Sequence, residues 1–359
     1  VGEQFKDSPS LLNYEQQYYN LGYLVQYLNV DSTYTPEQIR QEIQQVYKNH
    51  DLELKYVIII GDIEDVPSYK TELIWHKVTD HYYASLDDPY DQDIGAPDVA
   101  VSRISVSSEN ELKSVLFKNL KYLYGDFSDQ SWLSYISFIA TDDKYIIAEG
   151  SHNYAISNYT APLGYKGTFP QDLQKGGDKL YAITHSAKDE DVVTRIHKGR
   201  LIINYSGHGM DTYWDGPHVY QEDVRNISHP DALPFVISNA CLTGNFMTKE
   251  SFAETWLRHP NGSIMFWGSM GSSYWDEDDI LEKKLYDGIF EKGLYSFADM
   301  TRYSLSHLWA YYNGSGKSNY YWETYHMFGD SVLNLRTSAV KDLNVDFPNV
   351  VSNITSQIK

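Results

Sequence analysis

The sequence predicts an α/β protein, a parallel-sheet sandwich with helices on both faces, built as two subdomains. Three observations carry this. Runs such as Tyr56-Val57-Ile58-Ile59-Ile60 are continuously apolar and β-branched, as strands covered on both faces are. Such runs alternate with segments of helical periodicity, the pattern of β–α crossover units. Several runs close on small or polar residues (Gly61-Asp62, Asp142-Asp143, Gly207-His208, Ala240-Cys241), as strands opening into loops do.

In order, residues 12–20 read as a helix and residues 23–30 as a strand. A helix is predicted from Pro36 to about Lys48, with Thr35 as N-cap and Pro36 at its first position. After the strand at 56–60 come an acidic loop (Asp87, Asp88, Asp91, Asp93), a strand at 98–103 and a helix to about Leu123. The polar stretch 125–132 separates this first unit, 1–124, from a second, 125–336, which leaves a tail, 337–359, without an assigned role. The second unit opens with a strand from Tyr135 that runs toward Asp142 and Asp143. Helices are expected near 149–160, 189–198, 249–258, 278–292 and 296–312. Strands are expected ending at His208 and Cys241 and over 263–268.

Composition narrows the function. With 29 basic against 49 acidic residues the net charge is −20, which argues against nucleic acid or an anionic membrane surface as partner. No apolar run is long enough to span a bilayer. A single cysteine excludes an internal disulfide framework and a multi-cysteine zinc site. His-Glu-x-x-His is absent, so zinc-peptidase chemistry has no signature here. The 32 Tyr, 8 Trp and the excess of acids over Lys suit a secreted or cell-surface protein. The start at Val1, with no initiator Met, reads as a processed fragment or an excerpt of a longer chain.

His208 and Cys241 each end a strand-like run. In parallel sheets reactive groups collect at the carboxyl ends of neighbouring strands. A thiol and an imidazole brought together there make a nucleophile and its acid/base partner, the arrangement a cysteine peptidase needs. The competing reading of Cys241 is a small buried hydrophobe.

These stretches resemble the gingipain family of cysteine peptidases, in the caspase-like group. The matching blocks are Tyr205-Ser206-Gly207-His208-Gly209, Asn239-Ala240-Cys241, Ser272-Ser273-Tyr274-Trp275-Asp276-Glu277-Asp278 and Tyr325-His326-Met327-Phe328-Gly329-Asp330. The resemblance implies a caspase-like fold, Cys241 as nucleophile, His208 as acid/base, and an oxyanion hole from the N–H groups of Gly209 and Cys241. It implies Asp143 as the group orienting His208, with Asp142 as the adjacent alternative. The Tyr-Trp-x-x-Asp block resembles the lysine-specific branch. It implies that Trp275 walls a specificity pocket, that Asp278 meets a basic side chain, and that Tyr274, Asn239 and Ser206 line the same pocket. Protein or peptide substrates cleaved after Lys, with Arg less favoured, follow from that. The competing role for Asp278 is a helix start, since Asp276, Glu277 and Asp279 also suit a helix N-terminus. For arginine the family places an acid in the helix after Asp143, where Glu149 is off register. No cofactor is implied for catalysis. A structural calcium ion is implied near Asp80, because Thr79-Asp80-His81-Tyr82-Tyr83 resembles a family calcium segment and the acidic loop offers oxygen ligands. Family members begin with an apolar strand that residues 1–10 lack, which points to a cleaved N-terminal segment. Two other classes stand beside this reading: a carbohydrate-active or carbohydrate-binding extracellular protein, and an inactive member of the same fold.

Overall fold

The structure, a computed structural model, describes residues 1–49, 53–73, 77–87, 90 and 97–338. Asp88, Asp91, Asp93 and most of the tail, 339–359, lie outside the described residues.

Eight strands form one sheet: β1 (Tyr56–Ile60), β2 (Ala100–Ile104), β3 (Ile136–Ala140), β4 (Asp178–Tyr181), β5 (Ile202–Ser206), β6 (Phe235–Asn239), β7 (Met265–Ser269) and β8 (Tyr325–Gly329). Their spatial order is β1-β2-β8-β7-β6-β5-β3-β4. Every neighbouring pair is parallel except β7–β8. Residues 1–124 thus supply the β1–β2 edge of the same sheet that residues 125–336 complete.

The helices are α1 (Pro9–Asn20), α2 (Pro36–Tyr47), α3 (Glu109–Tyr124), α4 (Tyr145–Ala155), α5 (Asp189–His197), α6 (Gln221–Arg225), α7 (Phe252–Arg258), α8 (Trp275–Phe290), α9 (Phe297–Tyr311) and α10 (Gly316–Thr324). They cover both faces. On β6, Phe235 and Ile237 join a core with Leu281 and Leu285 of α8 and Met300 of α9. Val236 between them joins a second core with Val192 of α5, Trp256 of α7 and Leu112 of α3. Successive side chains point to opposite faces, so a strand covered twice is apolar at every position. That is why the central strands were readable as continuous runs.

Local signals set several boundaries. Thr35 caps α2 with a reciprocal Gln38 box, and Ser251 caps α7 with Glu254. The second box starts α7 at Phe252, later than the expected Lys249, because Ser251 takes the N-cap. Ser8 and Pro9 likewise start α1 before residue 12.

At three points the structure departs in detail from the sequence expectations. Residues 23–29 form no strand; Val30 makes a single bridge to Gly2, whose N–H reaches Ile60 O at 2.9 Å. The apolar residues of that segment, Val25 and Tyr27, pack against a core without joining a ladder. The sheet is not wholly parallel, because β8 returns antiparallel beside β7. Finally, Asp80 does not sit as a calcium ligand would. Arg103 Nε lies 2.7 Å from Asp80 Oδ2 and Nη2 lies 2.8 Å from Oδ1. The same guanidinium donates to Gly61 O, Val66 O and Ser68 Oγ, and Ser68 Oγ donates to Asp80. Burial alone would raise the Asp80 pKa; Arg103, with His326 and Ser68, overrides it and holds the carboxyl below the usual range. Both oxygens are committed to a buried ion pair, so Asp80 does not fit a cation.

Candidate active site

The register of the central strands builds the site. Ala140 of β3 pairs with Ser206 of β5, and Ser206 pairs with Asn239 of β6. Just past this row the three strands release Asp143, His208 and Cys241, at the carboxyl ends of adjacent parallel strands. The residues after Asp143 and Cys241 are both left-handed: Lys144 at φ 47° and Leu242 at φ 62°. Such a conformation costs a non-glycine residue roughly 1–2 kcal/mol. It turns each chain sharply, Lys144 into α4 and Leu242 into a bond from its N–H to Gly271 O at 2.8 Å.

His208 Nε2 lies 3.0 Å from Asp143 Oδ2. The hydrogen bond to His208 is the largest cause holding the Asp143 carboxyl below its ordinary range. A carboxylate only accepts, so Nε2 carries the proton and the neutral ring keeps Nδ1 as its acceptor. Of the two adjacent acids, Asp143 meets the imidazole; Asp142 takes a bond from Thr141 Oγ1 at 3.3 Å. Both His208 and Asp143 are about half exposed.

Cys241 is partly buried. Its sulfur accepts from Ser273 N at 3.3 Å and lies 3.7 Å from Ser273 O. The loop leading into α8 therefore lies against the thiol. Gly209 follows His208 in an antiparallel ribbon, His208–Met210 pairing with Tyr213–Asp215. A Cβ on Gly209 would stand 2.7 Å from Cys241 O and 2.9 Å from Ala240 Cβ. Only glycine lets the His208 segment close on the Cys241 backbone this way.

The first turn of α8 carries Trp275 and Asp278, the residues expected to set specificity. Asp278 is buried, and its Oδ1 accepts from Tyr325 Oη at 2.6 Å and Tyr321 Oη at 3.0 Å. Burial raises its pKa to about 7, against the pull of hydrogen bonds from Tyr325, Ser273 and Tyr321. Among the described residues it has no Lys or Arg partner, whereas its neighbour Glu277 has Lys317 Nζ at 2.9 Å. Trp275 stands edge-on to His208, centroids 5.5 Å apart. Tyr274 is exposed, with its N–H donating to Tyr321 Oη at 2.8 Å. Asn239 is buried: Nδ2 donates to Glu282 Oε2 at 2.8 Å, and among the described residues Oδ1 has no partner. Ser206, its cross-strand partner, is buried on the same sheet face. Glu149 accepts instead from Thr184 N and Oγ1.

The sequence reading missed Ser273, Tyr321 and Tyr325 as site residues, although Ser273 and Tyr325 lie inside the blocks it quoted. Tyr321 had no signal: it reaches Asp278 only because α10 packs beside β8.

A model of the family described as Peptidase family C25 matches residues 4–336. Gingipain R2 of Porphyromonas gingivalis is 23% identical over 352 residues, covering 90% of this chain and 43% of the relative. Lys-gingipain of the same organism is 25% identical over 302 residues, covering 77% of this chain and 16% of the relative. The chain thus spans less than half the length of either relative. The crystal structure of the Arg-specific cysteine proteinase gingipain R superposes with a TM-score of 0.76 at 21% identity, covering 97% of this chain and 78% of that one. The fold is that of the gingipains, and the chain belongs to peptidase family C25.

Proposed function

We propose that this chain is a cysteine endopeptidase that cleaves proteins or peptides after basic residues, Lys ahead of Arg. The observation that carries the reading is the Asp143–His208 pair, 3.0 Å apart, released beside Cys241 from three adjacent strand ends.

In this reading His208 Nδ1 takes the thiol proton while Asp143 holds Nε2–H and stabilises the imidazolium. The Cys241 thiolate attacks the scissile carbonyl. The oxyanion is met by the N–H groups of Gly209 and Cys241, each such donor being worth roughly 10²–10³-fold. The imidazolium then protonates the leaving amine. Water, deprotonated by the same ring, attacks the thioester and frees the thiol.

Specificity rests on Asp278. It is a buried carboxylate with no Lys or Arg partner among the described residues, one helical turn from Trp275, whose ring stands edge-on to His208. A neutral side chain would leave it desolvated and unpaired, whereas a substrate ammonium completes it. Tyr274, Asn239 and Ser206 line the same pocket. Lys is favoured because Glu149, the nearest acid on α4, is spent on Thr184.

Among the described residues no helix is long and apolar enough to cross a membrane. On composition we place the protein outside the cytoplasm, at or beyond the cell surface. Cleavage profiling on a mixed peptide library tests the reading. Cuts after Lys or Arg support it, and cuts after acidic or apolar residues reject it.

A further inference from the structure

We propose that Glu282 and His152 are positioning residues for the basic pocket: they fix the Asn239 carboxamide so that its carbonyl oxygen is presented, unpartnered, to the substrate's ammonium. This rests on the assignment of Asp278 as the acid of that pocket.

Register places the groups together. Tyr325 of β8 pairs with Ser269 of β7, and Ser238 of β6 pairs with Gly268 of β7. Asn239 and Tyr325 therefore lie in one row across the sheet, and both side chains face α8. Tyr325 meets Asp278, and Asn239 meets Glu282. Asp278 and Glu282 are one turn apart on the same side of α8. The row thus brings Asn239 to the wall against which Asp278 is held.

Hydrogen-bond polarity fixes the amide. Glu282 Oε2 accepts from Asn239 Nδ2 at 2.8 Å, and Oε1 lies 2.7 Å from His152 Nδ1. His152 Nε2 lies 3.0 Å from Ile139 O. A backbone carbonyl only accepts, so His152 is anchored to β3, the strand that delivers Asp143. A carboxylate also only accepts, so it holds the amide nitrogen toward itself and turns Oδ1 away. His152 and Glu282 are both fully buried. Asn239 Oδ1 is buried with no hydrogen-bond partner among the described residues, which folded proteins ordinarily avoid. Its position in the same row as Tyr325, with one strand between them, gives it a use. An ammonium carries three donors, and Asp278 Oδ1 already serves two hydroxyls. A fixed neutral acceptor supplies what that carboxylate lacks.

The test compares the parent with Glu282→Gln, the double variant Glu282→Leu/His152→Phe, and Asn239→Ala. The double variant replaces a buried polar pair with apolar groups, a change proteins often tolerate. Steady-state kinetics use matched lysyl and norleucyl peptides, and thiol reactivity is read with iodoacetamide. Exchange of the Asn239 side-chain NH2 is followed by ¹⁵N NMR, assigned by its loss in Asn239→Ala. The double variant and Asn239→Ala should raise lysyl KM about tenfold or more, leaving kcat within about threefold and alkylation within about twofold. Glu282→Gln should restore lysyl KM to within about threefold, since its carboxamide oxygen still accepts from Asn239 while its nitrogen donates to His152. The Asn239 amide should exchange slowly in the parent and Glu282→Gln, and rapidly in the double variant. A folded double variant with lysyl KM within twofold of the parent overturns the proposal. So does a parallel fall in kcat and alkylation, which would mark a framework role. If the double variant does not fold, fast Asn239 amide exchange in the parent overturns it, and slow exchange with the Asn239→Ala rise in KM supports it. A parent that cleaves no basic peptide rejects the functional reading instead, and the amide exchange then decides the positioning alone.

Discussion

Trp275 stands perpendicular to the His208 imidazole, the two planes at 84°, and Asp278 lies one helical turn further on. The first turn of α8 thus touches His208 and holds the buried acid at once. In the proposed reading chemistry and selectivity meet on one short stretch of backbone, and the predictions separate them.

Cys241→Ala should abolish peptide hydrolysis while leaving the melting temperature within a few degrees, because the volume change is small. His208→Ala should do nearly the same, and the double variant should be no worse than either, since the pair acts as one unit. Residual activity above a few per cent in Cys241→Ala would remove the nucleophile assignment.

Asp143→Asn should lower kcat at least tenfold, because an amide no longer fixes which imidazole nitrogen carries the proton. Asp142→Asn should stay within about threefold, since its side chain meets Thr141 rather than His208. Reversed effects would show that the adjacent acid has the role.

Gly209→Ala should cost at least 100-fold in kcat/KM. The new Cβ would stand 2.7 Å from Cys241 O and displace the backbone beside the thiol. Near-parent turnover would show that this close approach is not needed.

In its proposed role Asp278 makes selectivity depend on pH. Its pKa of about 7 means the carboxylate ionises as pH rises through neutrality. The kcat/KM for lysyl peptides, relative to norleucyl ones, should climb about tenfold per unit below pH 7 and level off above it. The linked stability has the opposite sign. A carboxyl whose pKa is raised by folding stabilises fully below its unfolded value near 3.8 and loses that contribution as pH rises through about 7. Asp278→Asn should therefore melt roughly 2 °C or more above the parent at pH 8, with a smaller gap at pH 5. Thermal melts at the two pH values check this.

Much of this was legible because it is local. The β-branched core strands, the Thr35 box on α2 and the residue types after each strand can be read from short windows. The choice between Asp142 and Asp143 could not, because it depends on the left-handed Lys144 turn. Nor could the antiparallel return of β8 or the burial of Asp80 against Arg103, both of which join distant segments. The excess of tyrosine has a use the composition did not suggest: phenols hold buried acids. Tyr14 and Tyr18 clamp Asp330, Tyr154 and Tyr159 clamp Asp287, and Tyr321 and Tyr325 clamp Asp278.

The central claim is that a thiol–imidazole pair works beside a pocket whose acid selects a basic side chain. The most direct test measures kcat/KM of the parent and Asp278→Asn at pH 8 on peptides differing only in Lys or norleucine before the scissile bond, with iodoacetamide inactivation alongside. The account predicts that the parent prefers Lys strongly, that the variant loses at least tenfold on the lysyl peptide alone, and that alkylation is unchanged. A variant that cleaves the lysyl peptide as well as the parent does would contradict it.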